Sequence, residues 1–159
     1  IINFLMMKYG VRNMDLNLII TGDNSILKKE IKPTDNYLVI LKNYIVYIRG
    51  NYKTIDTYGI RKMETRYVKL FRAATYLLGD KPSVPLLQNN NERINETSLN
   101  KYLTLRTYMN MPEGMIYKSL IQDAKQKGDI SRIEALSESR GTSSIQTVLS
   151  PSFFARTGT

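Results

Sequence analysis

The 159-residue chain contains no cysteine, no histidine and no tryptophan. Without thiols it can build neither disulfides nor zinc sites based on Cys and His. Without imidazole, every catalytic scheme that runs through a histidine is excluded. Carboxylate chemistry with Mg²⁺ and Ser/Lys chemistry survive the exclusion, but no constellation of residues can be named for either. A chain of this length buries roughly two thirds of its unfolded surface, so it can fold without covalent staples and the lack of disulfides leaves the redox compartment open.

Long apolar runs are missing as well. No stretch reaches the roughly 18 apolar residues of a spanning helix, so no membrane span is expected. Residues 1–7 are apolar, yet they lack a preceding positive segment and a following small-residue cleavage site, which argues for a buried segment over a secretory signal. A chain that opens on Ile1 is expected to be a fragment, a processed product or the product of a non-AUG start. Alanine is scarce, at 5 residues against 17 Ile, 13 Asn, 13 Lys and 11 Tyr. AT-rich codons produce such a bias, which points to phages, large DNA viruses and organelles. Acidic residues are also few: 14 Asp and Glu face 23 Lys and Arg, for a net charge of +9. A field of that sign attracts nucleic acid, anionic lipid or an acidic protein, although excess charge also serves solubility.

What is present is the composition of an ordinary globular domain, 42% hydrophobic and 23% charged, so the bulk of the chain should fold. The first third reads as β-rich. Residues 16–21 end at Gly22-Asp23-Asn24, a turn cluster that suggests a hairpin with residues 25–32. After a second turn at residues 33–36, residues 37–41 and 44–49 are aromatic and β-branched strands. Arg49-Gly50-Asn51 makes a third turn, and residues 52–58 alternate with period two, completing a meander of about five antiparallel strands. From Met63 the spacing turns helical: Val68, Leu70, Phe71, Ala74, Tyr76, Leu77 and Leu78 line one helix that ends at Gly79.

Residues 81–96, with Pro82, Pro85 and the triplet Asn89-Asn90-Asn91, read as a long surface connection. Thr97 or Ser98 can cap a second helix reaching Met109, Pro112 can open a third through Ile116, Leu120, Ile121 and Ala124 to Gly128, and Asp129 or Ser131 a short fourth ending at Gly141. Residues 142–159 form an extended tail. The expected fold is therefore α+β: an N-terminal antiparallel β-meander packed by a helix, then a small helical C-terminal part with that tail. The corresponding divisions are 1–80, 81–96, 97–141 and 142–159.

No Gly-rich spacing follows a strand and opens a helix, which disfavours nucleotide hydrolysis. Asp15, Asp23 and Asp35 sit at turns, where Asp bonds its own backbone, and lack the spacing of a calcium loop. Ser119 with Lys118 or Lys125 makes no dyad, because no orienting partner can be named. No metal site and no cofactor are expected. The best positional signal is a run of cations, Arg49, Lys53, Arg61, Lys62, Arg66, Lys69 and Arg72, interleaved with tyrosines that include Tyr47 and Tyr52. Cations neutralise phosphate and aromatic faces stack on unpaired bases, so these nine residues are the candidate nucleic-acid-binding set. The plainer reading is a solvated helix face beside tyrosines that serve as strand formers. Arg66, Lys69 and Arg72 recur three apart and would share a helix face, with Lys62 four before Arg66. In the tail, Phe153 and Phe154 are the candidate partner-binding residues, since burying each is worth roughly 1.5–3 kcal/mol.

The chain is thus expected to be a non-enzymatic structural or assembly component of a large complex, most plausibly a virion or phage particle, with its basic face toward nucleic acid or an acidic neighbour. The expected partners are other subunits of that assembly, with RNA or DNA on the basic patch. The alternative is an RNA-binding component of a ribonucleoprotein such as an organellar ribosome. A nuclease or hydrolase using carboxylates and Mg²⁺ ranks third.

Overall fold

The structure, a computed structural model, describes residues 1–107 and 110–140. Its elements are α1 (Ile2–Tyr9), β1 (Ile19–Thr21), β2 (Asn36–Ile40), β3 (Ile45–Arg49), α2 (Ile55–Tyr58), β4 (Arg61–Thr65), α3 (Val68–Leu78), β5 (Ser83–Pro85), β6 (Gln88–Asn89), β7 (Glu92–Arg93), α4 (Glu96–Thr104), α5 (Glu113–Gln126) and α6 (Ile130–Arg140). The fold is α+β: a five-stranded, mostly antiparallel sheet packed by helices, followed by C-terminal helices. It divides into two compact units. Unit 1 is Ile1 with Met14–Leu99, and unit 2 joins Ile2–Asn13 to the chain from Asn100 onward.

In unit 1 the sheet order is β4-β3-β2-β1-β5. Period-two alternation lays one row, Val84, Ile20, Leu38, Tyr47 and Met63, across all five strands. On the other face Val39, Val46 and Ile48 are buried with Ile26, Leu27, Tyr37, Leu41 and Tyr44 around them. Interior strand β3 is therefore buried at all five positions. Both edge strands carry residues that resist further pairing: Arg61, Lys62 and Glu64 on β4, and Pro85 on β5. Helix α3 packs on β1, β2 and β5, as the helical spacing predicts, and ends at Gly79 with φ 58°.

Strands β2 and β3 fall where the sequence places them, but the meander does not. Strand β1 pairs with β2 in parallel and with β5 antiparallel, so the hairpin over residues 16–32 is absent. The cause is local: the Asp23 carboxylate accepts the Ser25 N–H at 3.0 Å and caps a short 3₁₀ turn, Asn24–Leu27. A parallel pair needs a crossover, and this segment supplies it. Residues 52–58 are likewise no strand. They hold α2, closed by Gly59 at φ 74°, with the Tyr52 hydroxyl donating to the Gly59 carbonyl. The outer strand is β4, where Arg61, Met63 and Thr65 are half-buried and Lys62 and Glu64 exposed.

Residues 81–96 contribute structure where a bare connection is expected. They supply β5 and the β6–β7 hairpin, and they bury Val84, Leu87 and Ile94. The hairpin turns on Asn90 and Asn91, both at positive φ (54° and 65°), the conformation a two-residue primed turn requires and Asn tolerates.

In unit 2, residues 2–9 form a helix that buries Leu5, Met6 and Tyr9, and α1 packs on α5 and α6. The core is Tyr117, Ile121, Ala124, Ile133 and Leu136, with Leu120 against it. Arg132 donates to the Met7 and Lys8 carbonyls, satisfying the orphan end of α1. Arg12 donates to the Arg140 carbonyl at 2.7 Å, and the Arg140 guanidinium lies 4.1 Å from the centre of the Tyr117 ring. Helix α4 is capped by Asn95, whose side-chain Oδ1 accepts the Ser98 N–H, in place of Thr97 or Ser98. Pro112 precedes α5, and Asp129 caps α6 through the Arg132 N–H. The expected helix end at Met109, Gly141 and the tail with Phe153 and Phe154 lie outside the described residues.

Candidate nucleic-acid interface

The nine candidate residues separate into two environments. Three of them are buried, Arg49 and Tyr47 on β3 and Tyr52 just after it. Arg49 is fully enclosed and its Nη2 lies 2.9 Å from a carboxylate oxygen of Asp15, itself fully enclosed. Tyr47 donates its hydroxyl to the Asp15 backbone carbonyl at 3.3 Å, and the Tyr52 ring sits 4.4 Å beneath the Arg49 guanidinium. Burial raises the Tyr52 phenol above its usual pKa, ahead of the opposing charge of Arg49. None of these three can meet a phosphate or a base, which corrects the expectation for Arg49, Tyr47 and Tyr52. Asp15 does sit in a turn, the 3₁₀ segment Asn13–Leu16, and its side chain is the buried anion of the pair.

The other six reach solvent. Lys53 follows Tyr52 and is exposed, Arg61 is half-buried on β4, and Lys62 is exposed beside it with its ammonium 3.5 Å from the Leu27 carbonyl. Arg66 lies between β4 and α3 with its guanidinium 4.6 Å from the centre of the Tyr44 ring. Lys69 and Arg72 are exposed on α3. Because α3 begins at Val68, Arg66 and Lys62 precede it, and they do not share with Lys69 and Arg72 the helix face that the spacing implies.

The residue that does share that face is Tyr76. At 100° per residue, Lys69, Arg72 and Tyr76 fall within about 60° of one another, opposite the buried Leu70 and Ala74. The Tyr76 side chain is 85% exposed, and Val68 and Leu77 on the same helix are 55% and 46% exposed. Sequence spacing counts Tyr76 with the core. The usable signal is its offset: it lies two residues past Ala74 and four past Arg72, on the polar side of the helical wheel.

The exposed side of α3 carries one sign of charge. No Asp or Glu occurs from residue 65 to residue 79. By contrast, α5 pairs Lys127 with Asp123 at 3.0 Å. Lys69 sits in the first turn of α3, the end where a cation opposes the helix dipole. Stability alone does not favour that placement.

Elsewhere the chemistry is already committed. A polar cleft of about 300 Å³ in unit 1 is lined by Asn17, Asp35, Asn51, Arg93, Asn95 and Glu96 among others. Arg93 grips Asp35 with two bonds of 2.6 and 2.8 Å and donates to Asn17 with two more, from Nε and Nη2. Burial pushes the Asp35 carboxyl up, but the Arg93 hydrogen bonds, the Asn36 N–H and the Arg93 charge together hold it below the usual carboxylate range. Arg93 shifts upward in step. A carboxyl depressed by folding stabilises the protein above its unfolded pKa, near 3.9, and that contribution is lost as pH falls through the folded value. Asp35→Asn should therefore cost stability at neutral pH, with the gap to wild type closing below about pH 4. Urea unfolding across a pH series checks this, and a pH-independent gap would contradict it.

In unit 2 an apolar groove of about 300 Å³ is lined by Met6, Met7, Met111, Ile116 and Leu120 among others. Ser119 spends its hydroxyl on the Met115 carbonyl at 2.8 Å. Among the described residues no three His, Cys, Asp or Glu side chains converge on a metal-sized site, and no helix is long and apolar enough to cross a membrane. Comparison with protein-family models, with curated proteins and with solved structures returns no match.

Proposed function

We propose that this chain is a non-enzymatic structural or assembly component of a large complex, a virion or phage particle foremost, with the exposed face of α3 turned toward nucleic acid. The observation that carries the reading is the one-signed surface of Lys69 and Arg72, with no acidic residue within α3 and Arg66 just before it. The chain's charge of +9 supplies the long-range attraction. The lack of histidine and cysteine supports a role without catalysis. A second reading, an RNA-binding component of a ribonucleoprotein such as an organellar ribosome, draws on Tyr76, since an open aromatic ring beside cations suits RNA.

The test is charge reversal. The triple variant Arg66→Glu/Lys69→Glu/Arg72→Glu should bind nucleic acid more weakly and lower the slope of log K against log salt by up to about three units, at roughly 0.7–0.9 per phosphate contact. Fluorescence anisotropy across a salt series reads both quantities. An unchanged slope sinks the reading.

A further inference from the structure

Resting on that reading, we infer that the ligand of the α3 face is single-stranded nucleic acid, with Tyr76 stacking on an unpaired base while Lys69 and Arg72 neutralise adjacent phosphates. Tyr44, Tyr52, Tyr102 and Tyr117 are each covered by an arginine of the same chain, at 4.6, 4.4, 3.5 and 4.1 Å from the ring centre. Tyr47 is sealed in the sheet. Tyr76, at 85% exposure, leaves both faces of its ring to water, although Arg72 stands only one helical turn away.

A ring open on both sides can take a base on either, and base–aromatic stacking tolerates every sequence because every base has a π-face. Duplex DNA offers no such face, since its bases are already stacked on one another. Its phosphates would engage Lys69 and Arg72 and leave Tyr76 idle. Spacing agrees with a strand laid along the helix: Lys69 to Tyr76 is seven residues, about 10 Å of helix axis. Helix α3 itself contains no carboxylate that would repel a phosphate backbone.

The experiment compares binding of a short oligothymidine strand and of the same strand annealed to its complement, for wild type, Tyr76→Ala and Tyr76→Phe. Tyr76 is exposed enough that neither substitution touches the core. The inference expects wild type to prefer the single strand, Tyr76→Ala to lose about tenfold on it with an unchanged salt slope and little change on duplex, and Tyr76→Phe to behave as wild type. Equal binding of strand and duplex by wild type, or full single-strand affinity in Tyr76→Ala, overturns the inference and leaves the polyanion reading standing. Binding to phosphatidylserine vesicles but to no oligonucleotide, or to no polyanion at all, overturns both.

Discussion

Replacing Arg49 with Ala should cost unit 1 about 3–5 kcal/mol, because it leaves the Asp15 carboxylate in the interior with its cation gone. Both side chains are wholly enclosed and 2.9 Å apart, so neither can turn to water to relieve the loss. The truncation also removes the guanidinium that covers the Tyr52 ring, and empties space beside an interior strand buried on both faces. The pair itself is a weaker asset than this number suggests. The Nε and Nη1 of Arg49 find no acceptor, so part of its desolvation cost goes uncompensated. The double variant Arg49→Met/Asp15→Leu should accordingly recover most of the loss. Hydrogen exchange at the amides of β2 and β3 reports unit 1 alone. Near-native protection in Arg49→Ala would show that the pair is not what secures this end of the sheet.

Gly50→Ala should be nearly as damaging, by about 2–3 kcal/mol or more, for a reason of space. A Cβ on Gly50 would lie 2.4 Å from the Asp35 carbonyl oxygen and 2.6 Å from that of Pro33. Both are backbone atoms, so no rotamer change can make room. The same neighbourhood is knit by bonds that would have to stretch: the Gly50 N–H donates to the Asp35 carbonyl at 3.1 Å, and the Asn36 side chain pairs with both backbone groups of Asn51 at 2.8 and 2.9 Å. Displacing Asp35 would also pull its carboxylate away from Arg93. A fall in the urea midpoint with an unchanged slope is the expected result. A midpoint equal to wild type would mean that the chain from Pro33 to Asp35 yields freely.

Strands β2 and β3 are legible in the sequence because aromatic and β-branched residues suit a pleated surface in almost any setting. The end of α3 is legible for a similar reason, since Gly79 takes a φ of 58° that side chains avoid. Residues 22–32 and 52–58 mislead because local capping, by Asp23 and by Gly59, outweighs their strand-like composition. Alternation in a seven-residue window cannot reveal that. The interface is half legible. Charge spacing finds Lys69 and Arg72, but counting cations says nothing about which face of a strand they occupy. Arg49 is the clear case: only the register of β3 between β2 and β4 shows that it points inward. Arg93 escapes for the opposite reason, since its partners Asp35 and Asn17 stand 58 and 76 residues away.

Residues 2–13 belong with the chain from Asn100 onward, while residues 14–99 form a unit between them. During synthesis this order has a cost in time. Helix α1 emerges ahead of the sheet, but the α5 and α6 surfaces on which it packs are made more than 100 residues later. At about 5–20 residues per second the ribosome holds an eight-residue helix, too short to be stable by itself, without its partners for many seconds. The sheet can form in that interval, since its strands lie within residues 19–85. Of the two units, unit 2 is therefore the one that closes last, around a helix made before the sheet.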